Sequence, residues 1–171
     1  MSAATPSPRL PAASSELERA RRYAELHEEL RLSLDGESDW IAILSTVVSA
    51  LHGAFAYFDW TGFYRVIGEQ LLAVGPYQGG HGCLRIPFQR GVCGAAARTR
   101  QTQLVPDVNA FPGHIACSSA TQSEIVVPVL TPAGQLLAVL DVDSNLPAAF
   151  KPIDQQELEA LCRDLGRRHT T

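Results

Sequence analysis

The apolar residues in the first third of the chain recur at helical spacing. After Ser15, a residue type that caps helix N-termini, leucine and tyrosine side chains recur at positions 17, 23, 26, 30 and 34, a spacing compatible with one helix. A second stretch, about 39–52, carries apolar side chains on one side, namely Trp40, Ile41, Leu44, Val47, Val48 and Leu51. We therefore predict two helices before residue 53.

From residue 59 the pattern changes to one typical of strands. Strands are predicted at 59–66, 70–75, 83–87, 104–108, 123–130 and 135–144, with hairpin turns at 67–69 and 131–134. A helix is expected from the glycines at 91–98, and a final helix follows Phe150 and Asp154. This order predicts an α+β domain in which helices flank a central antiparallel sheet.

The first fourteen residues differ in composition from the rest. They are mostly alanine, serine, proline and threonine with almost no charge, and they offer no face to bury. We predict a disordered leader at 1–14 and a single domain at 15–171.

Composition narrows the class of protein. The 171 residues are 46% hydrophobic with a net charge of -4, so we expect no polybasic surface for nucleic acid or anionic lipid. No apolar run approaches the ~20 residues of a membrane span, and the N-terminus lacks the pattern of a secretory signal. We expect a cytoplasmic protein.

Three of the four cysteines are grouped. Cys83, Cys93 and Cys117 fall within 35 residues, whereas Cys162 lies among leucines of the last predicted helix, which favours a core position. In a reducing compartment, grouped cysteines indicate redox chemistry or metal binding rather than structural disulfides.

Cys117 and Glu124 are the first candidates for chemistry. Cys117 lies in a loop of small and polar residues, and Glu124 opens the buried strand at 123–130. A carboxyl group at the end of such a strand is partly desolvated, which raises its pKa and suits a proton donor. The alternative for Cys117 is a small buried core residue.

Seven motifs in order carry a resemblance. They are WTGFY at 60–64, GPYQG at 75–79, GVCG at 91–94, DV at 107–108, GHIAC at 113–117, SEIVVP at 123–128 and LDVDS at 140–144. Together they resemble the free methionine-(R)-sulfoxide reductases, GAF-fold enzymes that reduce one epimer of the free amino acid. The similarity runs from about residue 20 to 165. The chain departs from the family at Gly82, usually alanine, at Ala138, often glycine, and in the leader.

The resemblance implies a thiol mechanism without a cofactor. Cys117 attacks the sulfoxide sulfur, an acid protonates the oxygen, and the resulting sulfenic acid becomes a disulfide. Cys83 is the preferred resolving cysteine. Cys93 is a second resolver, since a helix N-terminus lowers a thiol pKa, or else it only packs. Thioredoxin or a similar dithiol would recycle the disulfide.

The predicted substrate contacts follow the charges of the free amino acid. Asp141 and Asp143 leave the same face of one strand, so that they and Glu124 would share oxygen protonation and ammonium binding. Trp60 and Tyr64 would wall the substrate methyl group, although Trp60 fits core packing equally well.

Other assignments are weaker. Only the resemblance implies that the backbone amides of Ile115 and Ala116 hold the substrate carboxylate. Asp107 is equally compatible with a role as a loop cap. The alternative role for Asp143 is to cap a turn. A homodimer through the helices is plausible because GAF domains commonly pair in this way.

Two other functions remain open. The first is a GAF module that senses a small molecule without catalysis, although sensing does not require three cysteines in this order. The second is a zinc site formed by His81, Cys83, His114 and Cys117, although H-x-C is an uncommon ligand spacing.

Overall fold

The computed structural model describes residues 8–115 and 117–169. Its helices are α1 (Glu16–Ser33), α2 (Trp40–Ala54), α3 (Gly91–Thr99) and α4 (Pro152–Arg168). Its strands are β1 (Trp60–Gly68), β2 (Leu71–Gln78), β3 (Arg85–Pro87), β4 (Gln103–Val105), β5 (Ser123–Leu130) and β6 (Leu136–Ser144). A short 3₁₀ turn, Val108–Ala110, precedes the loop that leads into β5.

Within the described residues, the strands form one antiparallel sheet in the order β3-β2-β1-β6-β5-β4. Strand β6 lies between β1 and β5, and its Asp143 is paired with Trp60 on one side and Glu124 on the other. This order confirms the predicted α+β class with a central antiparallel sheet. It also brings three sequence-distant motifs together at one end of the central strands.

The two faces of the sheet bury different layers. Phe63, Val127 and Leu140 face a core built with α1, α2 and α4. Their neighbours Tyr64, Val126 and Val139 point the other way, into a smaller core shared with α3. This alternation follows from the pleat of a strand, which sends successive side chains to opposite faces.

Helix α1 begins as predicted but buries a different stripe. Ser15 and Glu18 form a reciprocal capping box at its N-terminus. Leu17, predicted to face the core, is 62% exposed, whereas Arg19 is 1% exposed. The reason is periodicity: position 19, not 17, lies four residues before Tyr23 and continues the buried row.

Part of the predicted leader packs against the domain. Leu10 forms a parallel bridge with Phe55, with backbone bonds of 2.8 Å to Ala54 and from Ala56. Arg9 donates to the carbonyl of Phe55 at 2.8 Å. Disorder is therefore the wrong description for this segment, because one apolar and one cationic side chain anchor it. Residues 1–7 lie outside the described part, and the domain boundary stays a prediction.

No helix in the described part of the chain combines the length and apolarity that crossing a membrane requires.

Candidate active site

A small cavity lies between the α3 face of the sheet and the loop before β5. Its volume is about 40 Å³. Predicted site residues supply much of its wall, namely Trp60, Tyr64, Cys93, Ile115, Cys117, Glu124, Asp141 and Asp143. We call this space the site cavity.

Cys117 is joined to Cys83 by a disulfide, with the two Cα atoms 5.5 Å apart. Cys117 itself lines the site cavity, and both residues are partly buried. Cys83 follows the glycine-rich segment after β2, so the bridge ties that segment to the loop before β5. The structure therefore contains the Cys83–Cys117 pairing that the family resemblance favoured.

Cys93 occupies a different environment from the bridged pair. It lies in the first turn of α3, is 3% exposed and is a free thiol. Burial raises the pKa of Cys93 well above its ordinary value, and the charges of Asp141 and Glu124 raise it further. The predicted lowering by the helix N-terminus is therefore wrong, because desolvation and two neighbouring carboxyl groups outweigh the helix dipole.

Glu124, Asp141 and Asp143 project into the site cavity from adjacent strands. Glu124 pairs with Asp143 across β5 and β6, and Asp141 lies two residues away on the same face. Glu124 is 6% exposed and Asp141 is 5% exposed. Their closeness and burial make it costly for all three to ionise together.

The pKa values of these carboxyl groups reflect that cost. Burial, followed by the charges of Asp141 and Asp143, raises the pKa of Glu124 well above its usual range. Burial raises the pKa of Asp141 to about 6, against hydrogen bonds from Cys93 and Glu124 that lower it. Burial and Asp141 raise the pKa of Asp143 as well. Burial and the neighbouring carboxyl groups therefore favour the protonated form of Glu124, which suits a proton donor.

An aromatic stack forms one wall of the cavity. The ring of Trp60 lies 5.7 Å from that of Tyr64 and 5.3 Å from that of Tyr77, both nearly parallel to it. A Cβ atom at Gly62 would lie 2.5 Å from both Trp60 and Tyr77, so only glycine fits beneath the stack. Trp60 and Tyr64 are thus buried core residues and cavity wall at once.

The loop before β5 closes the cavity from above. Nδ1 of His114 lies 4.0 Å from Oε2 of Glu124. Ile115 lies against Gly91, whose backbone N–H donates to the carbonyl of Gly113 at 3.0 Å. Burial lowers the pKa of His114, which favours the neutral imidazole. Ala116 lies outside the described residues, so its predicted contact stays a prediction.

Comparisons with known proteins agree with this geometry. The sequence profile of the GAF domain matches residues 39–168. The free methionine-R-sulfoxide reductase of Saccharomyces cerevisiae is 42% identical, with 84% of this chain and 85% of that protein aligned. The Escherichia coli protein of the same name is 38% identical, over 85% of this chain and 87% of that protein. The chain belongs to the GAF-domain family of free methionine-R-sulfoxide reductases.

A solved member of this reductase family shares the fold. The structure of free methionine-R-sulfoxide reductase from Neisseria meningitidis in complex with its substrate superposes with a TM-score of 0.84 at 40% identity. The match covers 96% of this chain and 95% of that chain. The GAF-like fold predicted from the motifs is therefore confirmed.

Two assignments made from the sequence differ from the arrangement found in this reductase-family chain. Asp107 is not among its lining residues and instead caps the 3₁₀ turn, accepting from the backbone N–H of Asn109 at 2.9 Å. The four-ligand zinc site is not assembled either, because the sulfurs of Cys83 and Cys117 are bonded to each other. Cys162 lies in the helical core, as its leucine neighbours indicated.

Sequence reasoning overlooked two contributors to the reductase-family site. His114 was considered only as a zinc ligand, although its place in the GHIAC motif puts it beside Glu124. Gly82 lines the cavity, and a Cβ atom there would lie 2.9 Å from the Trp60 ring and 3.0 Å from the Tyr64 hydroxyl. The departure from alanine at this position was the available signal, since it removes a methyl group from a tight wall.

Proposed function

We propose that the protein reduces free L-methionine-(R)-S-oxide to L-methionine with its own cysteine thiols. The observation that carries the proposal is the Cys83–Cys117 bridge beside a cavity lined by Glu124, whose pKa is raised by burial. The names of its relatives support the same reaction.

The reaction balances with two thiols. The thiolate of Cys117 attacks the sulfoxide sulfur while Glu124 gives its proton to the oxygen, and the oxygen then passes to Cys117 as a sulfenic acid. Methionine leaves with the two electrons that Cys117 loses. The thiol of Cys83 attacks the sulfenic sulfur, water departs, and the disulfide forms.

Charge complementarity supports a free amino acid as the substrate. Asp141 and Asp143 offer carboxylates to the substrate ammonium, whereas a methionine sulfoxide within a peptide lacks that charge. The Trp60 and Tyr64 rings line the cavity and would wall the methyl group and thioether carbon chain of the substrate. Among the described residues, the backbone N–H of Ile115 is our candidate for donating a hydrogen bond to the substrate carboxylate.

The disulfide form is the product state of this cycle. A cavity of about 40 Å³ is far smaller than the ~300 Å³ of typical small-molecule pockets. Reduction of the bridge would release the segment before Cys83 from the loop carrying Cys117. We therefore expect the reduced enzyme to open the cavity for substrate.

The remaining steps involve partners. A dithiol of the thioredoxin type would recycle the bridge, and a reducing compartment such as the cytoplasm would supply it. A homodimer through the helices stays a prediction, which the exposed Leu17 and Leu32 of α1 and Ile41 of α2 make reasonable.

The decisive test follows NADPH consumption with thioredoxin, thioredoxin reductase and each epimer of free methionine sulfoxide. We expect turnover on the R epimer only, loss of turnover in Cys117→Ser, and unchanged turnover in the matched core variant Cys162→Ser. Cys83→Ser should lower turnover more than Cys93→Ser. Absence of turnover with thioredoxin and with a small dithiol would reject the enzyme and favour a sensing module.

A further inference from the structure

We propose that the site cavity also binds Zn²⁺, through Cys93, Glu124 and Asp141, while the Cys83–Cys117 disulfide is in place. The sulfur of Cys93 and one carboxylate oxygen from each acid all lie within 4.8 Å of one another. None of the three belongs to the bridge. Metal binding itself does not depend on the proposed reaction; only its consequence for turnover does.

The three ligands come from rigid parts of the fold. Cys93 is in the first turn of α3, Glu124 is at the start of β5 and Asp141 is within β6. Ligands around tetrahedral zinc lie ~3.5 Å apart, given bonds of about 2.0–2.3 Å. Side-chain rotations that move the ligand atoms by about 1 Å therefore close the site without moving the backbone.

An unpartnered oxygen points to a cation at this place. The hydrogen bonds that Asp141 receives from Cys93 and Glu124 leave its Oδ1 atom buried and without a partner among the described residues, in a side chain only 5% exposed. A buried carboxylate oxygen without a donor is costly, and a bound cation removes that cost.

The fourth ligand would be a water molecule or, after movement of its side chain, His114, which lies outside the group of three. Nδ1 of His114 is likewise buried and unpartnered within the described chain, 4.0 Å from Oε2 of Glu124. Either this nitrogen or a water molecule would complete a tetrahedral shell, and a cavity of about 40 Å³ has room for an ion with one water.

The donor set selects zinc among common divalent cations. One thiolate with carboxylate oxygens, and an imidazole within reach, matches the sulfur, nitrogen and oxygen ligands of Zn²⁺. Mg²⁺ and Ca²⁺ prefer oxygen ligands alone and would leave the Cys93 sulfur unused.

Zinc that stays in this position after the bridge is reduced would stop catalysis reversibly. It would hold Glu124 without its proton, occupy the Asp141 carboxylate and cover Cys93, so substrate and metal would exclude each other. This consequence rests on the proposed function. It makes the acid cluster the target of zinc inhibition, separately from the bridging thiols.

The test uses the oxidised full-length protein after removal of metals with a chelator. Zn²⁺ is titrated in competition with a chromophoric chelator, and Co²⁺ is titrated to look for a thiolate-to-metal charge-transfer band. Two matched variants each remove one buried free thiol, Cys93→Ala and Cys162→Ala. Mass spectrometry verifies the bridge, and circular dichroism verifies the fold.

We expect one Zn²⁺ per chain and a Co²⁺–thiolate band in the wild type and in Cys162→Ala. Cys93→Ala should lose the band, and both Cys93→Ala and Glu124→Gln should weaken Zn²⁺ binding at least tenfold, because removing a ligand costs more than disturbing its outer partners. No binding by the oxidised wild type, or equal binding by Cys93→Ala, would overturn the proposal. Since no substrate is present, either result is independent of whether the protein is a reductase.

Discussion

At the residue scale, the site places three carboxyl groups where the fold would be more stable without their charges. Glu124 and Asp141 are almost fully buried, and the pKa of each is raised, so the folded chain disfavours their ionised forms. A carboxylate in a surface ion pair behaves in the opposite way, because its pKa falls on folding and its charge stabilises the folded state. Function and stability therefore oppose each other at these side chains.

Replacement of Asp141 by asparagine should stabilise the protein increasingly as the pH rises. The pKa of Asp141 rises from an ordinary 3.8 to about 6, so the unfolded chain ionises first and wild-type stability is lost between these pH values. Relative to wild type, Asp141→Asn should gain about 2 kcal/mol in free energy of unfolding between pH 4 and pH 7. Urea unfolding at several pH values in chelator-containing buffer measures the difference.

The matched control is Asp107→Asn, which changes an exposed carboxylate outside the cavity. Because that side chain is exposed, its replacement relieves no burial of a carboxylate and should give no comparable gain in the free energy of unfolding. A stability difference for Asp141→Asn that stays constant across this range would contradict the assigned burial cost.

The residue scale also shows how far sequence reasoning reached. Cys117, Glu124, Asp141 and Asp143 were recognised because each stands at a strand end or loop within an ordered motif. The environment of Cys93 was not, since its elevated pKa comes from burial in the folded chain and from two carboxyl groups on β5 and β6, strands distant in sequence. Such through-space effects leave no trace in local patterns.

At the scale of elements, α4 approaches the sheet through a glycine. Gly166 is buried on the helix face that meets the end of β5, and a Cβ atom there would overlap the carbonyl oxygen of Leu130. The overlap is with backbone, which cannot rotate away as a side chain would. Gly166 therefore sets how closely α4 packs on the strand that carries Glu124.

Gly166→Ala should lower the free energy of unfolding by about 3 kcal/mol, because overpacking forces the helix away from β5. Gly53→Ala is the matched control in α2, where a Cβ atom would meet nothing within 4 Å. That change should stabilise by up to about 1 kcal/mol through helix propensity. Thermal unfolding of both variants measures the contrast, and equal effects would refute the packing argument.

Most elements could be predicted from periodicity, and their ends from local chemistry. The capping serine of α1 and the turn glycine between β5 and β6 act on neighbours in the chain, so their signals are local. The buried stripe of α1 and the anchored residues 9–12 were missed. The stripe includes the buried Arg19, and the segment is held partly by the side chain of Arg9; hydropathy assigns both of these charged residues to the surface.

At the scale of the molecule, Arg19 and Asp154 join the two ends of the chain. The pair is buried, and Asp154 also accepts from the hydroxyls of Tyr23 at 2.9 Å and Tyr57 at 2.7 Å. Arg19 further donates to the carbonyls of Ala149 at 3.1 Å and Ala12 at 2.7 Å. A single ion pair thus connects the leader, α1, the turn before α4 and α4.

Arg19→Met should destabilise the fold by about 3–5 kcal/mol, because it leaves the buried Asp154 without its cation. The double variant Arg19→Met/Asp154→Leu should regain part of this loss, since no unpaired charge then remains. Arg31→Met is the control on the same helix, because it removes an exposed ion pair with Glu28. This change should leave the melting temperature unaltered. A double variant no more stable than Arg19→Met would argue against the charge explanation.

The positions of the two tryptophans give the protein a built-in optical reporter. Trp60 forms the cavity wall, whereas Trp40 lies at the far end of α2 against His169. We therefore expect emission from Trp60 to follow the proposed opening and closing of the site, while Trp40 supplies a steady background. A spectrometer can follow each oxidation and reduction cycle in the unlabelled chain, and removing Trp40 would leave the signal of the site alone.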